Sequence, residues 1–293
     1  MQNARQEQQM SRRTVMLLVI AIASISCAAL FFRKAQATHP LLTAGFRLSI
    51  AALCLWPFVL KRALSLPGKF WRAGLLAGLC YAVHFGAWVW SLNLTTVAAS
   101  VTLVTATPLF LGLLGWATRR DAPSLRLWLA LALAVLGVTV IGANDMGADG
   151  GQLIGNALAL LGAVGMAGYL LVGRSCAPEQ ALPLITVAAT IGALLLLGVA
   201  VAIGLPLEPA SSESLFWIAM AALIPQLIGH TSLTLALRDA TPTSVAMSTV
   251  GEPVGAALLA FIFLGESVSL MVAVGCAFTL LAVGVSLSSS ASD

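Results

Sequence analysis

Glu252 and Pro253 stand side by side in the middle of residues 242–266, an apolar stretch long enough to cross a lipid bilayer. An ionised carboxylate in hydrocarbon is costly, and a proline inside a helix removes one backbone hydrogen bond. A spanning helix tolerates both where neighbouring helices or a water-filled cavity compensate for them. We therefore expect this helix to face the interior of a helical bundle.

Two hypotheses describe the role of Glu252. In the first it is a proton-coupling site whose charge changes as water reaches it from each side of the membrane. In the second it is neutral or paired, and it hydrogen-bonds the backbone that Pro253 loosens. No second carboxylate lies in the interior of an apolar run, which weakens the case for a proton relay. We favour the second hypothesis, which predicts near wild-type activity for Glu252→Gln.

His84 and two aromatic residues share one face of the third apolar run. Tyr81 and Trp88 stand three residues before and four residues after His84, a spacing that aligns side chains on a helix. An imidazole between two aromatic rings is suited to stack on a planar ligand and to hydrogen-bond its polar end. The alternative is a histidine satisfied by a backbone carbonyl of a neighbouring helix.

Other polar and adaptable side chains recur at helical spacing. Gln226 and His230 are four residues apart, just after a proline that distorts the eighth run. Ser244 and Ser248 continue the stripe that ends at Glu252. Each of these side chains either lines a cavity or packs between helices. The remaining candidates for substrate binding are Thr105, Thr107, Met166, Tyr169 and Met247.

Arg47 lies about 9 Å below the end of the second apolar run, at 1.5 Å per residue. It is able to snorkel to the membrane surface or to pair with a carboxylate. Glu266, at the end of the ninth run, is the carboxylate nearest to it in depth. We expect a structural or gating role for Arg47 and Glu266, and for the prolines Pro108 and Pro253.

The elements that hold these side chains are predicted to be membrane-spanning helices. Of the 293 residues, 59% are hydrophobic and 9% are charged, whereas a soluble domain has about 25% charged residues. The sequence contains ten apolar runs, each long enough to cross roughly 30 Å of hydrocarbon. Their limits are 14–32, 41–60, 71–92, 97–118, 124–142, 153–173, 182–205, 214–236, 243–264 and 268–288. This pattern predicts an all-α integral membrane protein with ten transmembrane helices.

The two halves of the chain resemble each other. Residues 97–121 match residues 242–266 at an offset of 145, which places Pro108 on Pro253. The offset is close to half the chain length, and the fourth run of the first half therefore corresponds to the ninth run overall.

Five spans in each half make the predicted repeat an inverted one. Because five is odd, the second half enters the membrane from the opposite side, an arrangement common in secondary transporters. We predict one five-helix repeat over residues 1–143 and a second, inverted repeat over 152–288. A periplasmic linker at 144–151 joins them.

The positions of lysine and arginine predict the orientation. With the N-terminus inside, cytoplasmic segments hold 12 of the 15 basic residues, the opposite loops hold Arg33 and Lys34, and Arg47 lies within a span. Both termini are thus expected in the cytoplasm. The twelve are Arg5, Arg12, Arg13, Lys61, Arg62, Lys69, Arg72, Arg119, Arg120, Arg126, Arg174 and Arg238. They form no aromatic-interleaved patch, so the net charge of +4 does not indicate nucleic-acid binding.

The ten-span plan, the proline-bearing fourth span of each half and the closing sequence FLGE at 263–266 resemble the EamA-type family of the drug/metabolite transporter superfamily. The run 81–85 and the sequence Gly251-Glu252-Pro253 look most like the bacterial aromatic amino-acid exporters of the YddG type. The chain departs from a symmetric pattern at one position, because Thr107 of the first half stands where the second half has Glu252.

The resemblance implies a secondary transporter of the bacterial inner membrane that exports aromatic and other neutral amino acids by alternating access. Organic cations, nucleotide sugars and purines are alternative cargoes. A membrane-embedded enzyme is less consistent with the sequence, which contains neither HExxH nor GxSxG, and no Walker A sequence is present. We expect no catalytic residue, cofactor or metal. The expected partners are a small-molecule substrate and membrane lipid, and the expected state is a monomer.

Overall fold

The computed structural model describes residues 12–117, 125–145, 151–240 and 242–288, and the regular elements in these ranges are helices. They form ten segments, as the apolar runs predict. Three segments are each divided into two helices, and a fourth contains a π-helical stretch at Ala222–His230. The helices are α1 Arg12–Ile25, α2 Ala28–Lys34, α3 Pro40–Leu64, α4 Gly68–Ser91, α5 Val97–Val104, α6 Thr107–Ala117, α7 Leu125–Asp145, α8 Gly151–Arg174, α9 Ala181–Ala202, α10 Ser212–Ala221, α11 Thr231–Ala236, α12 Pro242–Ser248, α13 Glu252–Leu264 and α14 Leu270–Ser288.

The outer surface of the bundle is apolar. Large hydrophobic side chains such as Phe58, Leu125 and Leu270 are among the most exposed. Seven of the described segments are long and apolar enough to cross a membrane, and shorter apolar helices occur in the other three. Since a lipid environment accommodates such a surface and water does not, the chain is a multi-pass membrane protein.

Both repeat-related prolines begin a helix. Pro108 is the second residue of α6 and Pro253 the second residue of α13. Proline fits the first turn of a helix because the backbone N–H that it lacks has no intrahelical partner there. The fourth and ninth segments are therefore interrupted just before each proline, whereas the sequence suggested a proline within a continuous helix.

Matching helices of the two halves pack in pairs, α3 against α9 and α7 against α14. Within the first pair, Gly45 faces Leu197, and further along α3 the Trp56 Nε1 donates a hydrogen bond to Thr190 Oγ1 at 2.9 Å. Increasing residue number on α3 thus corresponds to decreasing residue number on α9. These two matching helices run in opposite directions.

Successive connections alternate between the two ends of the bundle. The connection after α2 meets the one after α9, where Ala210 N donates to Thr38 Oγ1 at 2.9 Å. At the opposite end, the connections after α8 and α11 meet where Arg238 Nε donates to Pro178 O at 2.7 Å. Of the described connections, the first and seventh thus lie at one end and the sixth and eighth at the other, as expected for segments that traverse the bundle.

Glycine permits the closest approach between α4 and α8. A Cβ atom added to Gly165 would lie 2.7 Å from the backbone nitrogen of His84 and 2.9 Å from the carbonyl oxygen of Cys80. Both atoms belong to helix backbone and cannot move without shifting α4. Gly165 therefore fixes the position from which His84 projects.

Gly165→Ala is expected to destabilise the protein by about 1–3 kcal/mol, because overpacking at a backbone contact forces α4 and α8 apart. The melting temperature of the purified protein in detergent measures the effect. Gly198→Ala is the matched control, since that glycine lies within α9 and a Cβ there meets nothing within 4 Å. Equal melting temperatures for the two variants would contradict the close-contact role of Gly165.

Candidate functional site

A cavity of about 490 Å³, its opening included, lies where the helix interruptions converge. Polar side chains on its wall come from α4, the α5–α6 and α12–α13 junctions and the π-helical stretch. The lining residues are Ile25, His84, Trp88, Val104, Thr105, Thr107, Met166, Leu170, His230, Leu233, Val245, Ala246, Thr249 and Glu252.

Hydroxyl groups satisfy the backbone at the α5–α6 interruption. Thr105 Oγ1 donates to Val101 O at 2.9 Å, and Thr107 Oγ1 donates to Val104 O at 3.0 Å. Val104 O lies in the last turn of α5 and receives its bond from Thr107 Oγ1. Val101 O also accepts from Thr105 N at 3.1 Å. The threonines therefore allow the chain to leave the helix inside the bundle without unpaired acceptors at these positions.

Side-chain hydroxyl groups also bond backbone carbonyls at the α12–α13 interruption. Ser248 Oγ donates to Val245 O and Thr249 Oγ1 donates to Ala246 O, both at 2.7 Å. Glu252 makes no hydrogen bond to the described residues and its carboxyl group contributes to the cavity wall. The expectation that Glu252 bonds the loosened backbone is thus not met, because hydroxyl groups already do so.

His84 bonds a backbone carbonyl of a neighbouring helix and also lies on the cavity wall. Its Nδ1 lies 2.8 Å from Gly162 O, and because a carbonyl only accepts, Nδ1 carries the proton. A neutral imidazole in this tautomer presents Nε2 as an acceptor. The ring stacks on Trp88 with centroids 5.8 Å apart and an interplanar angle of 23°. His84 and Trp88 both line the cavity.

Tyr81 lies behind the cavity wall. It is fully buried, and its ring centroid is 4.2 Å from that of Tyr169, whose hydroxyl shares a 2.9 Å hydrogen bond with Thr234 Oγ1. Gln226 is also buried away from the cavity, while His230 of the same π-helical stretch lines it. Of the predicted pair, His230 therefore lies on the cavity wall and Gln226 lies in the layer behind it.

The structure places the other candidates in three groups. Thr105, Thr107 and Met166 line the cavity, together with Glu252. Ser248 is occupied by its bond to the preceding turn. The side chains of Ser244 and Met247 lie outside the described residues. Seven lining residues were not predicted, and they are Ile25, Val104, Leu170, Leu233, Val245, Ala246 and Thr249.

Most of the unpredicted residues are apolar and give no chemical signal in the sequence. A positional signal exists for Val104 and Thr249, which flank the interruptions that the paired prolines indicate. Ile25 had no such signal, since it precedes the α1–α2 interruption within an uninterrupted apolar run.

Glu266 pairs with Arg33 and not with Arg47. One carboxylate oxygen of Glu266 accepts from Arg33, and the other accepts from Val97 N at 2.8 Å. Arg33 also donates to Leu92 O at 2.6 Å. These contacts, which we call the outer latch, join α2, the end of α4, the start of α5 and the end of α13. Arg33 takes the place predicted for Arg47, because Arg33 is in the last turn of α2 and lies at the same level of the bundle as Glu266.

Arg47 is instead buried in the bundle core, with no exposed surface. Its guanidinium carbon lies 4.4 Å from the ring centroid of Phe85 and 5.0 Å from that of Phe32. The residue neither snorkels to the surface nor reaches Glu266.

Comparison with known proteins identifies the family. The profile of the EamA-like transporter family matches residues 12–143 and again 153–288. The chain belongs to the EamA-like transporter family. It is accordingly a secondary transporter of small metabolites or drugs, and not an enzyme.

A solved structure described as "Crystal structure of protein" shares the fold. It aligns with a TM-score of 0.68 at 17% identity, over 96% of this chain and 99% of that chain. At this identity the likeness concerns the fold alone. No curated protein matches the chain.

His84→Ala is expected to lower the transport of aromatic substrates by about tenfold or more, because it removes a stacking face and a hydrogen-bond acceptor from the cavity. Flux into proteoliposomes measures the effect, with insertion and monodispersity checked for each variant. Leu79→Ala is the matched control, since Leu79 lies on the same helix and is half exposed at the bundle surface. Unchanged flux in His84→Ala would leave only the bond to Gly162 as its role.

Proposed function

We propose that this EamA-like transporter exports small amphipathic metabolites, above all aromatic and other neutral amino acids, across the bacterial inner membrane. The observation that carries this proposal is the cavity at the helix interruptions, where an apolar and aromatic wall surrounds Glu252, His84 and His230. Such a wall suits a cargo that has one hydrophobic end and one polar, positively charged end.

The charges on the cavity wall narrow the range of possible cargoes. Glu252 is an acidic lining residue, and the described lining contains no lysine or arginine. An ammonium group is complementary to this wall, with Glu252 and the His84 Nε2 as acceptors. A nucleotide sugar is not complementary, because its phosphates require cationic or other strong donors.

An organic cation is a second candidate, and the same observation favours it. A cation without a carboxylate would use Glu252 and the aromatic face of Trp88 in the same way. An amino acid carries a negative charge as well as a positive one, whereas an organic cation carries only the positive charge. The groups on the cavity wall would bind the positive charge in both cases.

Alternating access is the proposed mechanism. Each interrupted segment consists of two half-helices that meet at the cavity, and the outer latch joins α2, α5 and α13, which all lie on the same side of it. Interrupted helices at a midplane site and antiparallel matching helices are features of transporters built from inverted repeats. Release of the outer latch would open the cavity toward that side.

We further propose ten spans with both termini in the cytoplasm. The positions of the first, sixth, seventh and eighth connections support segments that traverse the bundle, and the distribution of lysine and arginine supports the orientation. The outer latch then faces the periplasm.

A cysteine at position 208 is expected to react with an impermeant maleimide added outside, because Glu208 lies in an odd-numbered connection. The matched variant Ser65→Cys, in an even-numbered connection, is expected to react only after permeabilisation. Both substitutions are made in a cysteine-free protein, and both residues are exposed. The reverse pattern would contradict the orientation.

Glu252→Gln is expected to fold normally and to transport neutral amino acids at about one-tenth of the wild-type rate or less. The reason is that serine and threonine hydroxyls satisfy the helix interruption, whereas Glu252 is free to meet the cargo. Uptake of labelled phenylalanine into proteoliposomes tests the variant and the proposed cargo together. The absence of phenylalanine flux through the wild type would refute that cargo.

Two other outcomes would reassign Glu252. A near wild-type rate and pH dependence would return it to the structural role favoured by the sequence. Normal exchange at equal pH, with loss of uptake driven by a pH gradient, would identify a proton-coupling site.

A further inference from the structure

Arg47 is a cation without a hydrogen-bond partner in the core of the bundle. Its three guanidinium nitrogens are buried, and none of them bonds to the described residues. These nitrogens carry five N–H donors. An unpaired buried charge costs several kcal/mol, so the position calls for a compensating group.

The neighbours of Arg47 compensate only in part. Contacts with the faces of Phe85 and Phe32 contribute on the order of 2 kcal/mol each for a desolvated cation, and they satisfy none of its N–H donors. Glu252 is close enough to Arg47 for their charges to interact, but the two side chains form no hydrogen bond with each other. The five N–H donors of Arg47 thus remain available.

Two further unpaired groups lie in the same layer. The Tyr81 hydroxyl and both amide atoms of Gln226 are buried without a hydrogen-bond partner. Tyr81 is close enough to Arg47 for their charges to interact. The Tyr81 hydroxyl lies near the side chains of Gln226 and Tyr169 without meeting either in hydrogen-bond geometry. The helices that carry them also pack together, since α3 contacts both α4 and the π-helical stretch.

Phe85 lies between Arg47 and two residues of the cavity wall. Its ring centroid lies 4.5 Å from the His84 ring and 5.1 Å from the His230 ring, while its face covers the guanidinium. A rotation of the Phe85 side chain would connect the cavity to this layer. The ligand of Arg47 can therefore be part of a molecule that occupies the cavity.

We propose that Arg47, Tyr81 and Gln226 form a subsite that binds the carboxylate of the cargo. A planar guanidinium fork matches two carboxylate oxygens, and the hydroxyl and amide supply additional donors. This inference rests on the proposed transport of amino acids and deepens it. Glu252 receives the ammonium group and Arg47 the carboxylate, which selects zwitterions over organic cations.

The test compares ligands that keep or lack the carboxylate and the ammonium group. The affinities of the purified full-length protein for phenylalanine, phenylalaninamide, phenethylamine and 3-phenylpropionate are measured by calorimetry. Phenylalanine is expected to bind at least about 30-fold more tightly than its amide, the usual effect of losing one partner of a buried charge pair. 3-Phenylpropionate is expected to bind, because it retains the carboxylate.

Variants locate the effect. Arg47→Gln is expected to abolish the preference for phenylalanine over its amide, and Tyr81→Phe to reduce it several-fold even if Arg47→Gln fails to fold. Arg62→Gln is the matched control, because it removes the same charge from an exposed position on α3. It is expected to preserve the preference.

The outcomes separate this inference from the proposed cargo. Equal affinity for phenylalanine and its amide, or a preference that survives in both Arg47→Gln and Tyr81→Phe, would overturn the carboxylate subsite while amino-acid transport stands. Binding of 3-phenylpropionate that depends on Arg47, without any flux of amino acids, would uphold the subsite and refute the cargo. Failure of every carboxylate to bind would overturn the subsite.

Discussion

Backbone hydrogen bonds at the helix interruptions are the constraint on which the rest of the structure depends. No water is available in hydrocarbon, so each polar group released by a broken helix requires a partner within the protein. Thr107 supplies such a partner to Val104 O in the first half, and Ser248 and Thr249 bond carbonyls of the preceding turn in the second. With the backbone satisfied locally, the other groups at this depth are free to face a cavity.

The same interruptions divide the bundle into two levels. The half-helices α2, α5 and α13 contact one another on one side of the cavity, and the outer latch ties their ends. On the other side, α12 contacts α1 and α6. Because Glu266 also accepts from the first N–H of α5, its carboxylate caps that helix while it holds Arg33. The Glu266 side chain thus both caps the start of α5 and joins that helix to α2.

The sequence predicted the helical segments and the level of the site, because length, hydropathy and the paired prolines are local properties. Seven of the thirteen candidates for substrate binding line the cavity, and they are His84, Trp88, Thr105, Thr107, Met166, His230 and Glu252. Helical spacing assigned Tyr81 to the same helix face as His84. It could not show that only part of that face borders the cavity. The partner of Glu266 was also beyond prediction, since depth in a span does not determine which helices are neighbours.

A nearly symmetric scaffold here carries asymmetric chemistry. The two halves place interruptions at equivalent positions, yet Thr107 occupies the place that Glu252 holds in the second half. The threonine contributes a hydroxyl that its own backbone uses, whereas the carboxylate is left to the cavity. Arg47 lies in the first half and Glu252 in the second, so opposite charges flank the core from the two halves. A pair of halves that move relative to each other would change the separation of these charges, and a zwitterion that bridges them would favour one separation over the other. The cargo itself would thereby influence the conformational equilibrium, since a ligand shifts an equilibrium only by binding its states differently.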